Sequence, residues 1–315
     1  MGSFEIKDFP EKSWSISKMK VMENCYREYY YTYYGSHNGW FNQSEDESKI
    51  AWRLKKLTNI HLMFGDKLHK KIKSVIQANN NNIDPNIIIS SMRNDLNYAI
   101  KDSIIKYRNN SWNEYPKGEM LQEYYYGDKL SKDVIDDIKA RIENCSNNLV
   151  KCKSFNEVKY KNVKVLEVDE EKFDFFLIYG VKVFALIDML YIDENGNYVI
   201  VDWKTGKESD HDKQQLIVYA IYVIQKYNVS LDKIIGRIEY LASGYNKEYT
   251  FTREDIEFFS RRISEDLNVI DAFLEDPISN KPRDKEYFRK SEYIKKCNKC
   301  KYRKLCLSEV DSSET

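Results

Sequence analysis

Two aspartates and a lysine are the residues of this chain best placed to do chemistry. Asp188 closes the apolar run Val183-Phe184-Ala185-Leu186-Ile187, and Asp202 closes Val199-Ile200-Val201 and is followed by Trp203-Lys204-Thr205-Gly206-Lys207. An ionised carboxylate at the end of a buried strand is costly without a partner, so each calls for a cation or a hydrogen-bond network. Between them, Asp193-Glu194-Asn195-Gly196-Asn197 carries an Asn-Gly hairpin signal. Two paired strands can then aim both carboxylates at one spot and hold a hard divalent ion. Lys204 lies two residues beyond Asp202, and strand alternation puts the two side chains on one face. Hydrolysing a phosphodiester needs this set: a Lewis acid, a polarised water and a cation near the developing charge. A lone Asp-x-Lys is more often a strand-end ion pair. The second aspartate, the Thr-Gly turn and the helix that follows set this one apart.

A second group with chemical capacity is Cys297-x-x-Cys300, followed after five residues by Cys306, in a basic, loop-like tail. Such close spacing lets two thiolates reach one metal centre from a single turn. Three thiolates leave a tetrahedral four-sulfur site one ligand short. On the residues alone zinc is favoured, with iron–sulfur as its rival. Cys145 and Cys152 read as small buried residues. Basic residues from Lys281 to Lys304 are interleaved with Tyr287, Phe288, Tyr293 and Tyr302. That tail is either a phosphate- and base-binding surface or merely solvated.

The arrangement resembles the PD-(D/E)XK nuclease superfamily and, within it, the RecB-like branch. Gly65-Asp66-Lys67-Leu68-His69 is similar to that branch's upstream helix motif, and Gln215-Leu216-Ile217-Val218-Tyr219 to its downstream Gln-x-x-x-Tyr motif. The order His, Asp, Asp-x-Lys, Gln/Tyr is the branch's order. Ala185 stands where the branch usually has glycine, and no proline precedes Asp188. The resemblance implies His69, Asp188 and Asp202 as side-chain ligands of Mg²⁺ or Mn²⁺, joined by the backbone carbonyl of Trp203. It implies Lys204 as the catalytic lysine, with Gln215 and Tyr219 lining the site to position lysine or substrate. Glu167 is a weaker acidic candidate nearby. The cysteine triplet, together with Cys25 on an N-terminal helix, resembles the iron–sulfur members of the branch: the AddB nuclease domain, exonuclease V relatives and CRISPR-associated spacer-acquisition nucleases. A [4Fe–4S] cluster on Cys25, Cys297, Cys300 and Cys306 is therefore implied, stapling distant parts of the chain, with zinc as the rival.

The implied function is a metal-dependent DNA nuclease, an exonuclease on single strands or DNA ends, serving repair, recombination or defence. DNA is the implied partner, with a helicase or other DNA-processing protein as a further one. The chain has no Gly-x-x-x-x-Gly-Lys loop, so it is not itself expected to be a helicase. Two other classes stand beside this reading: a non-catalytic DNA-binding adaptor, and a zinc-stapled structural protein in which Asp-x-Lys is accidental.

The elements that must position these residues are legible in outline. A helix is expected from Ser15 to Tyr34, capped by Ser15 or Ser17, then a loop from Ser36 to Ser48 and a helix from about Ile50 to Ala78. Four asparagines, Asn79 to Asn82, form a loop, and Asn86 to Lys153 is helical, interrupted near Pro116-Lys117-Gly118. Strands are expected at Val163 to Val168, Phe173 to Tyr179, Val181 to Ile192, Tyr198 to Trp203 and Ile234 to Leu241, with one short strand more before Thr252. Helices are expected from about Asp212 to Tyr227 and from a Thr252–Asp255 capping box to Leu274, before a basic, irregular tail. The expected fold is α/β: a restriction-endonuclease-like core whose central mixed sheet is flanked by helices, with N-terminal helices, a helical insertion and iron–sulfur-stapled termini. Its expected division is 1–82 for the N-terminal helices, 83–160 for the insertion, 161–280 for the nuclease core and 281–315 for the cysteine segment. With 50 Lys+Arg against 50 Asp+Glu, net charge does not advertise a polyanionic partner, so local charge must be read instead. No apolar run is long enough to span a bilayer, and no signal peptide opens the chain, so a cytoplasmic, reducing setting is expected for the six cysteines.

Overall fold

The structure is a computed structural model that describes residues 7–78, 83–161, 163–169 and 174–311. The asparagine loop expected at Asn79 to Asn82 and the expected first strand residue Phe173 lie outside the described residues.

Strand β1 (Ser13–Trp14) leads into α1 (Ile16–Asn24), which Ser15 caps by accepting the Lys18 N–H at 3.1 Å. The single helix expected up to Tyr34 breaks at Cys25, whose backbone is extended at φ −167°, ψ 122°. Then come α2 (Tyr26–Tyr30) and a π-helical turn at Tyr31–Gly35. The cause is tertiary: the Arg27 N–H donates to the Arg289 carbonyl (3.2 Å) and Arg27 Nε to that of Phe288 (3.0 Å). The expected helix from Ile50 to Ala78 is likewise two, α3 (Asp46–Lys55) and α4 (Ile60–Gln77). Between them Thr58 exchanges backbone hydrogen bonds with Met120 and Gln122, and Asn59 caps α4 through the Leu62 N–H.

The helical stretch that follows comprises α5 (Pro85–Arg108), α6 (Ser111–Glu114), α7 (Gln122–Tyr125), α8 (Lys132–Leu149) and α9 (Lys153–Tyr160). Strands β2 (Lys164–Val168), β3 (Phe175–Ile178), β4 (Val181–Phe184), β5 (Met189–Ile192) and β6 (Tyr198–Lys204) come next, then α10 (His211–Tyr227), β7 (Ile234–Tyr240), β8 (Tyr245–Tyr249) and α11 (Arg253–Ala272). The expected capping box opens α11: Thr252 and Asp255 each accept the other's backbone N–H at 3.1 Å. The tail is more regular than expected, with β9 (Leu274–Asp276), β10 (Lys281–Pro282), α12 (Ile294–Lys299) and α13 (Arg303–Asp311).

Among the described residues the central sheet runs β2-β5-β6-β7-β8. It is mixed: β6 and β7 are parallel, joined by the crossover helix α10, and the other pairs are antiparallel. The expected β5–β6 hairpin turns at Gly196, whose φ of +78° is open to glycine. One expectation fails in an instructive way. Val181 to Ile192 is not one strand, because β4 joins a separate sheet in the order β1-β4-β3 while β5 enters the central one. The crossing at residues 185–188 is fixed from both sides, by Ala185 N–H donating to the Asp174 carbonyl and the Asp188 carbonyl accepting the Asp169 N–H.

Alternation along the sheet sorts the core into two layers. Leu190 and Ile200 face α10 and α11, packing with Leu216, Ala220 and Ile263. Met189, Tyr191, Val199, Val201 and Trp203 face α4, α5 and α8, packing with Phe64, Leu68, Met92 and Ile142. The helices of 83–160 thus share one core with the sheet rather than forming their own. A third cluster joins Tyr31, Leu54, Trp112 and Tyr302, tying the tail to the N-terminal helices. No helix among the described residues is long and apolar enough to cross a membrane.

Candidate active site

Strand β6 carries Asp202 and Lys204 on the face that looks toward α10, as the period of two requires. Their side chains meet, with Lys204 Nζ 2.7 Å from Asp202 Oδ2. Lys204 also donates to Gln215 Oε1 at 2.8 Å, and Gln215 Nε2 donates to the Tyr219 hydroxyl at 2.6 Å. Gln215 and Tyr219 stand four residues apart on α10, hence on one helix face. Asp188 comes immediately before β5 rather than within a strand, and the β5–β6 register, with Met189 opposite Val201, sets it beside Asp202. Its Oδ2 accepts the Trp203 N–H at 2.8 Å and its Oδ1 lies 3.0 Å from His69 Nδ1, which α4 brings in from the other layer. Of Trp203 only the peptide group is at the site; the indole is buried on the opposite face.

All six side chains, His69, Asp188, Asp202, Lys204, Gln215 and Tyr219, line one open cleft of about 640 Å³. That lies within the ~300–1,000 Å³ usual for ligand pockets. The charges are strongly coupled. Burial, then the Asp188 charge, raises the Asp202 carboxyl above its usual range, against the pull of Lys204 and His69. Burial works to lower Lys204, but Asp202 more than reverses it and the ammonium is held above its ordinary value. Burial likewise works against the His69 imidazolium, yet Asp188 and Asp202 raise it to about 9. The Tyr219 phenol is pushed far up by burial and by both aspartates, so it stays neutral.

A divalent ion suits this donor set. Two carboxylates and an imidazole converge, and buried Asp202 Oδ2, although beside the ammonium, accepts no well-directed hydrogen bond. As they stand, these groups are turned to one another. Among the described residues no three His, Cys, Asp or Glu side chains are gathered at coordinating distances.

Further residues complete the cleft, the two lysines among them not singled out by sequence reasoning. Lys18, Lys20 and Tyr33 line it, as does Leu186. Glu167 is engaged elsewhere, held by the hydroxyls of Tyr222 (3.0 Å) and Tyr227 (2.5 Å) and by Lys226 (2.8 Å). Cys25, Cys297, Cys300 and Cys306 line one smaller cleft together with Arg27, Lys290 and Arg303. There Cys300 is pushed up to about 12 by burial, with the Glu28 charge next. The basic tail is largely spent on structure: Lys285 pairs with Glu47, Arg303 with Asp128 and Lys281 with Glu275, while Phe288 and Tyr302 are fully buried.

No curated protein matches the chain. A family model, that of the PD-(D/E)XK nuclease superfamily, matches residues 13–307, from β1 to the helix that carries Cys306. With a mixed α/β architecture of restriction-endonuclease type and the match spanning nearly all of it, the chain belongs to the PD-(D/E)XK nuclease superfamily of metal-dependent nucleases.

Proposed function

We propose that this protein hydrolyses DNA phosphodiesters with Mg²⁺ or Mn²⁺, as an exonuclease on single strands or DNA ends in repair, recombination or defence, and that it falls in the RecB-like branch. The observation that carries the reading is the convergence of His69, Asp188, Asp202, Lys204, Gln215 and Tyr219, drawn from four separate stretches of chain, on one cleft. His69, Asp188, Asp202 and the backbone carbonyl of Trp203 would hold the ion. When bound, it supplies the Lewis acid that acidifies water and offsets phosphate charge.

The chain's own groups do the rest. His69 and the Trp203 N–H fix both oxygens of Asp188, so its remaining lone pairs keep one direction. Lys204 is aimed by two anchors, the Asp202 carboxylate and the Gln215 amide oxygen. Its ammonium can then hold the attacking water or stabilise a non-bridging phosphate oxygen as charge builds. Tyr219 locks the amide so that Gln215 presents oxygen, not nitrogen, to the lysine.

The same proposal places a [4Fe–4S] cluster on Cys25, Cys297, Cys300 and Cys306. In its support, Cys25 and the distant triplet of Cys297, Cys300 and Cys306 face one cleft. A helicase or other DNA-processing protein is the proposed partner, on the branch resemblance. The test is a nuclease assay with Mn²⁺ on single- and double-stranded, linear and circular DNA, comparing the wild type with Lys204→Ala. The variant should be slower by about 10²–10³-fold. Equal cleavage by both rejects the catalytic assignment, and efficient cutting of circular DNA rejects exonuclease action.

A further inference from the structure

The cleft that holds Lys204 does not end at α1. Ser13, Lys18 and Tyr33 line both it and a second open groove of about 320 Å³, whose walls add Trp40, Trp52, Lys55 and Lys56. The two therefore adjoin along these residues. Together they are rich in cations that have no anion. Among the described residues none of Lys18, Lys20, Lys55 or Lys56 is paired with a carboxylate, and Glu11, the acid of the groove wall, is already taken by Lys182 at 2.9 Å. Lys18 is only 7% exposed; its ammonium donates to the Ser13 carbonyl (3.0 Å) and lies 4.8 Å from the Tyr33 ring centre. Burial, then the charges of Lys55 and Lys12, lowers it to about 8.

Aromatic rings alternate with these cations. Lys55 lies 5.8 Å from the Tyr33 ring centre, and Lys56 sits 3.7 Å over the Trp52 ring. Trp40 is 42% exposed at the outer end. Its loop is built, not slack: a Cβ on Gly39 would lie 2.2 Å from the Ser48 carbonyl oxygen, and Ser44 Oγ donates to the Asn38 carbonyl at 2.6 Å. Holding self-repelling lysines along a groove costs stability, and a polyanion relieves it. The exposed Trp40 ring beside the lysines suits an unstacked base, which a duplex does not offer.

We infer that this groove is a track for single-stranded DNA, seating the nucleotides next to the scissile one, with Lys18, Lys55 and Lys56 on phosphates and Trp40 under a base. The inference rests on the nuclease reading for its direction, since the groove adjoins the cleft that holds Lys204. The test is fluorescence anisotropy with Ca²⁺ in place of Mg²⁺, using labelled oligothymidylates of four and twelve nucleotides and a blunt duplex. The wild type should bind the longer strand more tightly than the shorter. Lys55→Ala/Lys56→Ala should weaken the longer strand by about 10-fold and lower its salt slope by about 1.4, the loss of two single-strand phosphate contacts. Trp40→Ala should weaken it by roughly 5-fold or more, and Lys55→Arg/Lys56→Arg should restore most of the affinity. An unchanged affinity for the longer strand in both alanine variants overturns the track, and so does an equal loss on the duplex. Binding is read whether or not the protein cuts. A chain that shows this pattern but hydrolyses nothing would keep the track and lose the nuclease reading.

Discussion

Gln215 touches no phosphate in the proposed mechanism; it acts through Lys204, and that makes a sharp prediction. In Gln215→Leu the helix and its apolar packing persist, but Lys204 loses the 2.8 Å bond to the amide oxygen, keeping Asp202 alone as its anchor. A hydrogen bond to a charged group contributes about 1.5–3 kcal/mol. If that bond serves to aim the ammonium in the transition state, kcat falls by about 10- to 150-fold. Tyr219→Phe removes only the neutral bond that orients the amide, about 0.5–1.5 kcal/mol, or roughly 2- to 12-fold. Both losses should fall on kcat with KM little moved, because neither group binds substrate in the ground state. The assay is initial-rate cleavage of an end-labelled single strand at saturating Mn²⁺. The decisive arm is the double variant Lys204→Ala/Gln215→Leu. With the ammonium gone there is nothing left to aim, so the double should be no slower than Lys204→Ala. Penalties that multiply in the double would show that Gln215 works independently of the lysine and would refute the reasoning.

Two further outcomes follow from groups outside the cleft. Arg237, 3% exposed at its side chain, bridges Glu157 and Glu248 at 2.7 Å each behind β7. Arg237→Met should cost about 3 kcal/mol in urea unfolding by stranding Glu157, and Arg237→Met/Glu157→Leu should recover much of it; equal destabilisation of single and double variants would contradict this. Burial works to raise Glu157, but Tyr191 and Arg237 overcome it and hold the carboxyl below its ordinary 4.5. Its stabilising contribution is thus complete above that value and lost as pH falls through the lower folded one, so Glu157→Gln should flatten the acid limb of stability against pH. For the cysteines, aerobically handled wild-type protein should show visible iron–sulfur absorbance and bound iron, and Cys25→Ser should lose both. Zinc in place of iron would replace the cluster assignment, and retention of iron in Cys25→Ser would remove Cys25 from it.

What could be read in the sequence was whatever short-range geometry fixes. Asp202 and Lys204 share a face because a strand repeats every two residues, and Gln215 and Tyr219 because a helix returns after about four. The Asn-Gly hairpin and the Thr252–Asp255 box are likewise local chemistry, and each formed where expected. Tertiary structure decided the rest. Val181 to Ile192 is apolar apart from Lys182 and Asp188, so nothing in it announces that half belongs to one sheet and half to another. Cys25 interrupts a helical pattern because Arg27 is bonded to a segment more than two hundred residues away. The His69–Asp188 contact and the lysine groove join residues whose spacing in sequence carries no period at all. Hydrogen-bond and packing partners on other elements, not propensity, chose those positions. A charge or a ring reveals its purpose only once the fold shows which other charges and rings stand beside it.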